Sequence, residues 1–336
     1  VFLHIRTEKG KGFDPAAADP ENYHGVGKNL CFSANEFSDS ISGLMIDEVK
    51  KDERVTAITA GMKSGTGLSA FAKACPQNFV DAGICEEYAV TMAAGMARGG
   101  LKPVVFIYST FLQRAYDQIM TDVCVSDLPV VFMLDRAGFV GADGKSHQGL
   151  FDLSYLKNIP NLQIFAPKDT FELKKMLDYA LEKGSPVAIR YPNGVNAELK
   201  SDMPVDNVCE WEVVKDGSSA AIFAVGPRMI SLALKARDLS GKAVAVVNAR
   251  SVKPLDEKTM NKYAAVPIIT LEENVLSGGF GEGVSAYYSL NKLNVKMELL
   301  GVTDHFVPHG NVDYQFELSG LTAENVSAKI KELCKE

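Results

Sequence analysis

Apolar positions recur along the chain in two rhythms, and the exchange between them predicts a layered α/β protein. Ile41, Leu44, Met45 and Val49 fall three or four residues apart, the spacing of one helical face. The next run, Val55-Thr56-Ala57-Ile58-Thr59, has the length and β-branched content of a buried strand. The exchange repeats: strands are expected at 79–82, 104–108, 130–134, 164–166 and 187–191, and helices from Glu87, from Ser109, near Leu153 and from Asp169. Strands separated by helices predict a parallel sheet covered on both faces.

The rhythm lapses from Asn196 to Asp206, around Met203-Pro204-Val205, and resumes in a second α/β block. There, strands are expected at 220–225, 243–247 and 267–271, and helices at 229–239, 257–263 and 281–290. Val326, Ile330 and Leu333 put one apolar stripe on a C-terminal helix. Ahead of the first block, Val1-Phe2-Leu3-His4-Ile5 reads as an interior strand, and the aperiodic Pro/Ala/Asp-rich stretch up to Gly25 reads as an extended connection. The expected organisation is two doubly wound α/β domains, at 36–195 and 207–336, with a tail at 1–35 and a linker at 196–206.

Composition narrows the function classes. The 336 residues suffice for two cores, and the formal net charge of −7 with no Lys/Arg-rich run argues against nucleic acid. No apolar stretch approaches the roughly 20 residues of a membrane-spanning helix. Six cysteines without C-x-x-C spacing argue against a zinc knuckle or a disulfide framework and point to a reducing cytoplasm.

In doubly wound sheets, ligands lie beyond the carboxyl ends of the strands. Four polar groups fall there: Glu86, Tyr108, Arg136 and Arg190. Read alone, Glu86 is a first-turn acid that favours its helix dipole. Ser109 or Thr110 can cap the next helix, which places Phe111 in its first turn, against a cofactor or in the core, with Arg114 one turn on. The glycine-rich loop at 135–149 carries Asp143 and His147, a pairing suited to proton handling. Arg136 and Arg190 are suited to phosphate, with structural ion pairs as the competing account; Pro192 leaves Arg190 at the lip of its strand. Gly278-Gly-Phe-Gly-Glu-Gly lacks the ribose-binding acid of a dinucleotide site, so tight helix packing or subunit contact is expected. His305 and His309 lack partners at ligand spacing, and no metal site is expected.

These segments, with Lys9-Gly-Lys-Gly-Phe13, His24-Gly-Val26 and Val252-Lys-Pro-Leu-Asp256, resemble the 1-deoxy-D-xylulose-5-phosphate synthase group of transketolase-like thiamine diphosphate enzymes. The resemblance covers the whole chain and is most specific at 108–118 and 135–149. It implies a pyrimidine-binding domain followed by a transketolase C-terminal-like domain. Glu86 would be the acid that hydrogen-bonds the aminopyrimidine N1′, and Phe111 would stack on that ring. Lys9 and Phe13 would line the diphosphate side. His24 would exchange protons with substrate; Tyr108, Arg136 and Arg190 would hold the phosphate of D-glyceraldehyde 3-phosphate; Arg114, Asp143 and His147 would act on bound pyruvate. The implied reaction joins the two substrates with loss of carbon dioxide, on the route to isoprenoid precursors, thiamine and pyridoxal, in a homodimer.

Two departures stand out. Cys85-Glu86-Glu87-Tyr88 replaces the usual Ala-Glu-Gln-His, and Phe13 replaces a Tyr. The resemblance also implies an N-terminal domain whose Gly-Asp-Gly…Asn motif holds Mg2+ and the cofactor diphosphate. No such motif occurs here, so residues 1–26 are expected to be its last strand and exit, and the chain alone is expected to bind cofactor poorly and to be inactive. A β subunit of a 2-oxo acid dehydrogenase E1 component is an alternative, although it would not need residues 1–26. A non-catalytic assembly half is another, although such a chain has no physical reason to keep costly buried polar groups.

Overall fold

The structure, a computed structural model, describes residues 1–20, 23, 35–194, 199, 205 and 207–335. The first block contributes β1 (Val55–Thr59), β2 (Phe79–Asp81), β3 (Lys102–Tyr108), β4 (Val131–Asp135), β5 (Gln163–Phe165) and β6 (Val187–Arg190). The second contributes β7 (Glu212–Lys215), β8 (Ala220–Ala224), β9 (Val244–Asn248), β10 (Ser251–Lys253), β11 (Ile268–Val275) and β12 (Met297–Val302). The first sheet runs β10-β5-β6-β4-β3-β1-β2, parallel except for β10. The second runs β12-β11-β8-β9-β7, parallel except for β7. Two mostly parallel α/β domains are therefore present.

Strand periodicity explains the layers. Val105 and Ile107 face the helix Glu86–Arg98, packing with Ala89, Val90 and Ala93. Val104 and Phe106, one step out of phase, face the helices Glu36–Lys51 and Thr170–Lys183, packing with Ile41, Met45, Leu173 and Leu177. Because side chains alternate across a strand, a sheet covered on both sides reads as a continuous apolar run. The helix Thr170–Lys183 starts on a reciprocal cap: Asp169 accepts from the Glu172 N–H at 2.8 Å while Glu172 accepts from the Lys168 N–H at 2.8 Å.

Several expectations need correction. Val1–Ile5 forms no strand: Val1, Phe2, Leu3 and Ile5 are exposed, since an isolated apolar strand has no ladder to join. The tail also contains a short helix, Asp14–Ala18, started by Pro15. The helix from Ser109 is broken into Ser109–Leu112, a 3-10 turn at Gln113–Ala115, Tyr116–Gln118 and a π-turn at Ile119–Cys124. β7, β10, β12 and the helices Ser69–Ala74 and Val312–Leu318 were not expected. No helix among the described residues is long and apolar enough to cross a membrane.

The domains share one seam. Leu153 and Leu156 of the first pack in one cluster with Trp211, Phe223 and Phe280 of the second. Arg190 lies buried within the seam, donating to both Asp152 oxygens at 2.7 and 3.1 Å and to the Glu273 carbonyl at 3.1 Å. Burial works against this charge, but the two-point contact with Asp152 outweighs it, and the guanidinium pKa stands above its ordinary value. Lys168 pairs with Glu212, and Arg250 bridges Glu172 at 3.3 Å and Glu212 at 3.1 Å.

The glycine-rich motif has its explanation in Glu272. Its buried carboxylate accepts from the N–H groups of Phe280 and Gly281 at 2.7 and 2.8 Å, at the start of the helix Phe280–Leu290. A Cβ on Gly279 would lie 2.5 Å from Glu272 Oε2, so no larger residue fits. An acid from the chain itself thus occupies the anion-binding helix terminus. Burial pushes its pKa up to about 7, against the pull of the two N–H groups.

Two predictions follow from buried charge. The Glu272 pKa lies above the ordinary 4.5, so the folded state holds the extra proton between about pH 4.5 and about 7. Across that interval, rising pH should remove stability on the order of 3 kcal/mol through this group. Glu272→Gln should flatten that slope in urea midpoints taken at a series of pH values; parallel slopes for the two proteins would refute the assignment. Arg190→Ala strands the fully buried Asp152 carboxylate, and should cost about 3–5 kcal/mol in urea denaturation.

Candidate active site

Glu86 is the first residue of the helix Glu86–Arg98, and its side chain is only 3% exposed. Cys85 at the N-cap offers no side-chain hydrogen bond, so the nearest acid to the helix terminus is Glu86 itself. Its Oε1 accepts from Arg114 Nη1 at 2.7 Å, and Arg114 is 51% exposed. The burial comes from Glu86 alone, and Arg114 closes over it from the solvent side.

From Arg114 the contacts run on to the other candidates. The Arg114 guanidinium carbon lies 5.2 Å from the Phe111 ring centroid. Phe111 stacks on Tyr108, with centroids 5.8 Å apart and 21° between planes, and meets His147 edge-on at 5.5 Å and 76°. Arg136 sits 3.8 Å above the Tyr108 ring. His147 Nδ1 shares a 3.0 Å hydrogen bond with Ser146 Oγ, and Thr110 Oγ1 donates to the Ser146 carbonyl at 2.9 Å, tying the loop to the helix start. Glu86, Tyr108, Phe111, Arg114, Arg136 and His147 therefore form one contiguous set. Asp143, exposed on the turn Gly141–Asp143, lies within electrostatic reach of Tyr108.

Arg136 owes its direction to its backbone. At φ +58 it leaves β4 in the left-handed region, its N–H donating to Asp135 Oδ1 at 2.6 Å. Its Nη1 donates to Asp135 Oδ2 at 3.2 Å and to the Gly65 carbonyl at 3.0 Å. Asp135 is wholly buried; burial pushes its pKa up, while Arg136 and the 2.7 Å donation from Ser38 Oγ pull it down. Burial likewise pushes the Tyr108 phenol up to about 12, which keeps its hydroxyl a donor at neutral pH.

The remaining candidates lie elsewhere. Lys9 and Phe13 are exposed, and the Phe13 ring packs against Tyr23 at 5.9 Å. His24 lies outside the described residues. Arg190, expected at an open strand lip, is buried in the seam and pairs with Asp152 at 2.7 Å, the ion-pair account that stood beside the phosphate reading. Sequence reasoning missed Gly65, Ser38 and Ser146; only the glycine spacing at 61–67 signalled a tight turn there. Among the described residues, no group of three or more His, Cys, Asp or Glu could hold a metal ion.

Comparison with known proteins agrees with this geometry. Residues 35–196 match the family model for the transketolase pyrimidine binding domain, and residues 209–326 match that for the transketolase C-terminal domain. A 1-deoxy-D-xylulose-5-phosphate synthase from Carboxydothermus hydrogenoformans is 45% identical over 99% of this chain and 56% of its own length. One from Clostridium tetani is 44% identical over 99% and 56%. The chain thus spans about half the length of the curated relatives it matches. Among solved structures, a split-gene transketolase described as an inactive β4 tetramer is 28% identical with a TM-score of 0.78, over 88% of this chain and 97% of that one. Transketolase from Campylobacter jejuni shares the fold, with a TM-score of 0.71 at 18% identity over 96% and 50%. With both domain models matched in order, and with relatives of that identity along nearly its whole length, the chain belongs to the transketolase family and carries its pyrimidine-binding and C-terminal domains.

Proposed function

We propose that this chain is the pyrimidine-side half of a thiamine-diphosphate-dependent synthase. Its reaction joins pyruvate to D-glyceraldehyde 3-phosphate, releasing carbon dioxide and forming 1-deoxy-D-xylulose 5-phosphate. The observation that carries the reading is the buried Glu86 carboxylate, reached at the solvent side by a half-exposed Arg114 and followed by the partly exposed Phe111 ring. This donor set suits one end of the cofactor, a carboxyl for a ring nitrogen and an aromatic face for the ring. Thiamine diphosphate supplies, when bound, a nucleophilic carbon and an electron sink for decarboxylation.

The residues then divide the work by charge. Glu86 holds a proton against a pyrimidine nitrogen. Arg114, half-exposed above the buried Glu86, turns to the pyruvate carboxylate. Glu86 and Phe111 would hold the cofactor's pyrimidine, and the bound cofactor would supply the carbanion chemistry that releases carbon dioxide and reaches the aldehyde. His147, positioned beside Phe111, passes a proton to the aldehyde oxygen, with Asp143 and His24 completing the proton traffic. Tyr108 and Arg136 bind the substrate phosphate, the guanidinium held by Gly65 and Asp135. Arg190 supports them by fixing the seam.

The other half of the cofactor needs another set of ligands. A magnesium-bound diphosphate requires several oxygen donors, which a diphosphate-binding domain joined to this chain or carried by a partner would supply. The split-gene neighbour, inactive as a β4 tetramer, supports that division of labour. The exposed apolar residues Val1, Phe2, Leu3 and Ile5 suit a last strand of such a domain, with residues 1–35 as its exit. A homodimer in the cytoplasm, with cofactor between subunits, completes the reading.

Calorimetric titration of this chain with thiamine diphosphate and Mg2+ should show no micromolar site, a level that would represent about −8 kcal/mol. Joined to a diphosphate-binding half, it should make 1-deoxy-D-xylulose 5-phosphate, and Glu86→Gln should lower kcat by about 10²–10⁴. Wild-type turnover in that variant would sink the assignment.

A further inference from the structure

We infer that Gln315, from the second domain, is a positioning residue for the loop that carries Asp143 and His147. The inference deepens the proposed function and rests on it for the chemical roles of those two residues. The loop leaves β4 and is closed at its neck by Gly138 and Gly149, whose N–H and carbonyl groups exchange hydrogen bonds at 2.6 and 2.9 Å. Inside the neck, Gln148 Oε1 accepts from the Val140 N–H at 3.0 Å. These bonds shape the base but leave the turn beyond Val140 to be held from outside.

Gln315 supplies that hold. Its Oε1 accepts from the Gly141 N–H at 3.0 Å, and its Nε2 donates to the Gly141 carbonyl at 3.0 Å and to the Pro308 carbonyl at 2.9 Å. One amide engaging both polar groups of one residue sets the orientation of that residue as well as its place. Gly141 has φ +70, which disfavours other side chains, and it opens the turn that ends on Asp143. Gln315 is fully buried, so neither end of its amide has water as a substitute partner.

The surroundings are consistent with a template on the second domain. Phe316, next on the helix Val312–Leu318, meets Phe139 edge-on at 5.1 Å. Glu273 Oε1 accepts from the Phe139 N–H at 3.2 Å, and Arg228 donates to the Phe139 carbonyl at 2.9 Å. Arg228 also donates to the Asn193 carbonyl and pairs with the Glu273 carboxylate at 2.9 Å, so loss of either side chain would disturb both domains. Among the described residues, the Gln315 side chain hydrogen-bonds only the loop and its own preceding turn. With Thr110 bonded to Ser146, the loop that carries His147 is held at one point by a first-domain helix and at another, Gly141, by a second-domain amide.

The test uses the full chain in solution, by NMR and amide hydrogen exchange. Gln315→Leu should lower protection of the Gly141 and His147 amides about tenfold, the worth of a lost buried hydrogen bond, and should displace the His147 imidazole titration. Gln315→Glu, which keeps an acceptor for the Gly141 N–H, should show the same signature more weakly and carries the test if the leucine variant does not fold. Ile330→Val, on the C-terminal helix, should lower the melting temperature without moving His147. A wild-type His147 titration in the folded Gln315 variants, or an equal displacement in Ile330→Val, overturns the inference. In the enzyme completed with a diphosphate-binding half, Gln315→Leu should lower kcat with little change in either KM. An inactive wild-type enzyme there would sink the functional reading while leaving the solution result standing.

Discussion

A guanidinium can stay out of water only while every partner stays with it, and Arg190 imposes that condition on both domains at once. Its carboxylate partner, Asp152, belongs to the first domain, and its third acceptor is the backbone of Glu273 in the second. Glu273 in turn reaches the loop after β4 through the Phe139 N–H. The side chains that border the candidate chemistry are thus attached to a seam whose geometry has little freedom. The second domain contributes no residue to the contiguous set around Phe111, yet it supplies β10 to the first sheet and the backing of the His147 loop.

Much of the architecture was legible because burial on both faces leaves a mark on the chain. Val104 and Phe106 serve one layer, Val105 and Ile107 the other, and the resulting apolar run announces a parallel strand. Glu86, Tyr108 and Arg136 were legible for a related reason: crossover connections return each strand in the same direction, so polar residues just past strand ends gather at one mouth. Arg190 met the same rule, and its ion-pair partner stayed unidentified. What decides its role is Asp152, 38 positions earlier, and a partner at that separation leaves no trace in local pattern.

Other features were hidden for the same physical reason. β10 is three residues long and is a strand only because β5 offers it an antiparallel edge. Val1–Ile5 has the composition of a strand without a ladder to pair with, and stays unpaired among the described residues. The segment from Ser109 to Cys124 has helical periodicity, but the 3-10 turn at Gln113–Ala115 follows Phe111 and contains Arg114, which meet different neighbours, His147 and Glu86. Gln315 reads as an ordinary polar residue on a short helix; its importance lies wholly in what faces it.

The terminus of the helix Phe280–Leu290 carries a lesson for reading glycine-rich motifs. Two backbone donors and a pair of glycines there would suit a phosphate oxygen, and the chain has placed its own stopper, Glu272, in that cup. The glycines record the bulk of that internal acid, and a pattern search that sees them as a nucleotide signature mistakes the plug for the guest. One side chain separates this packed corner from a receptive one.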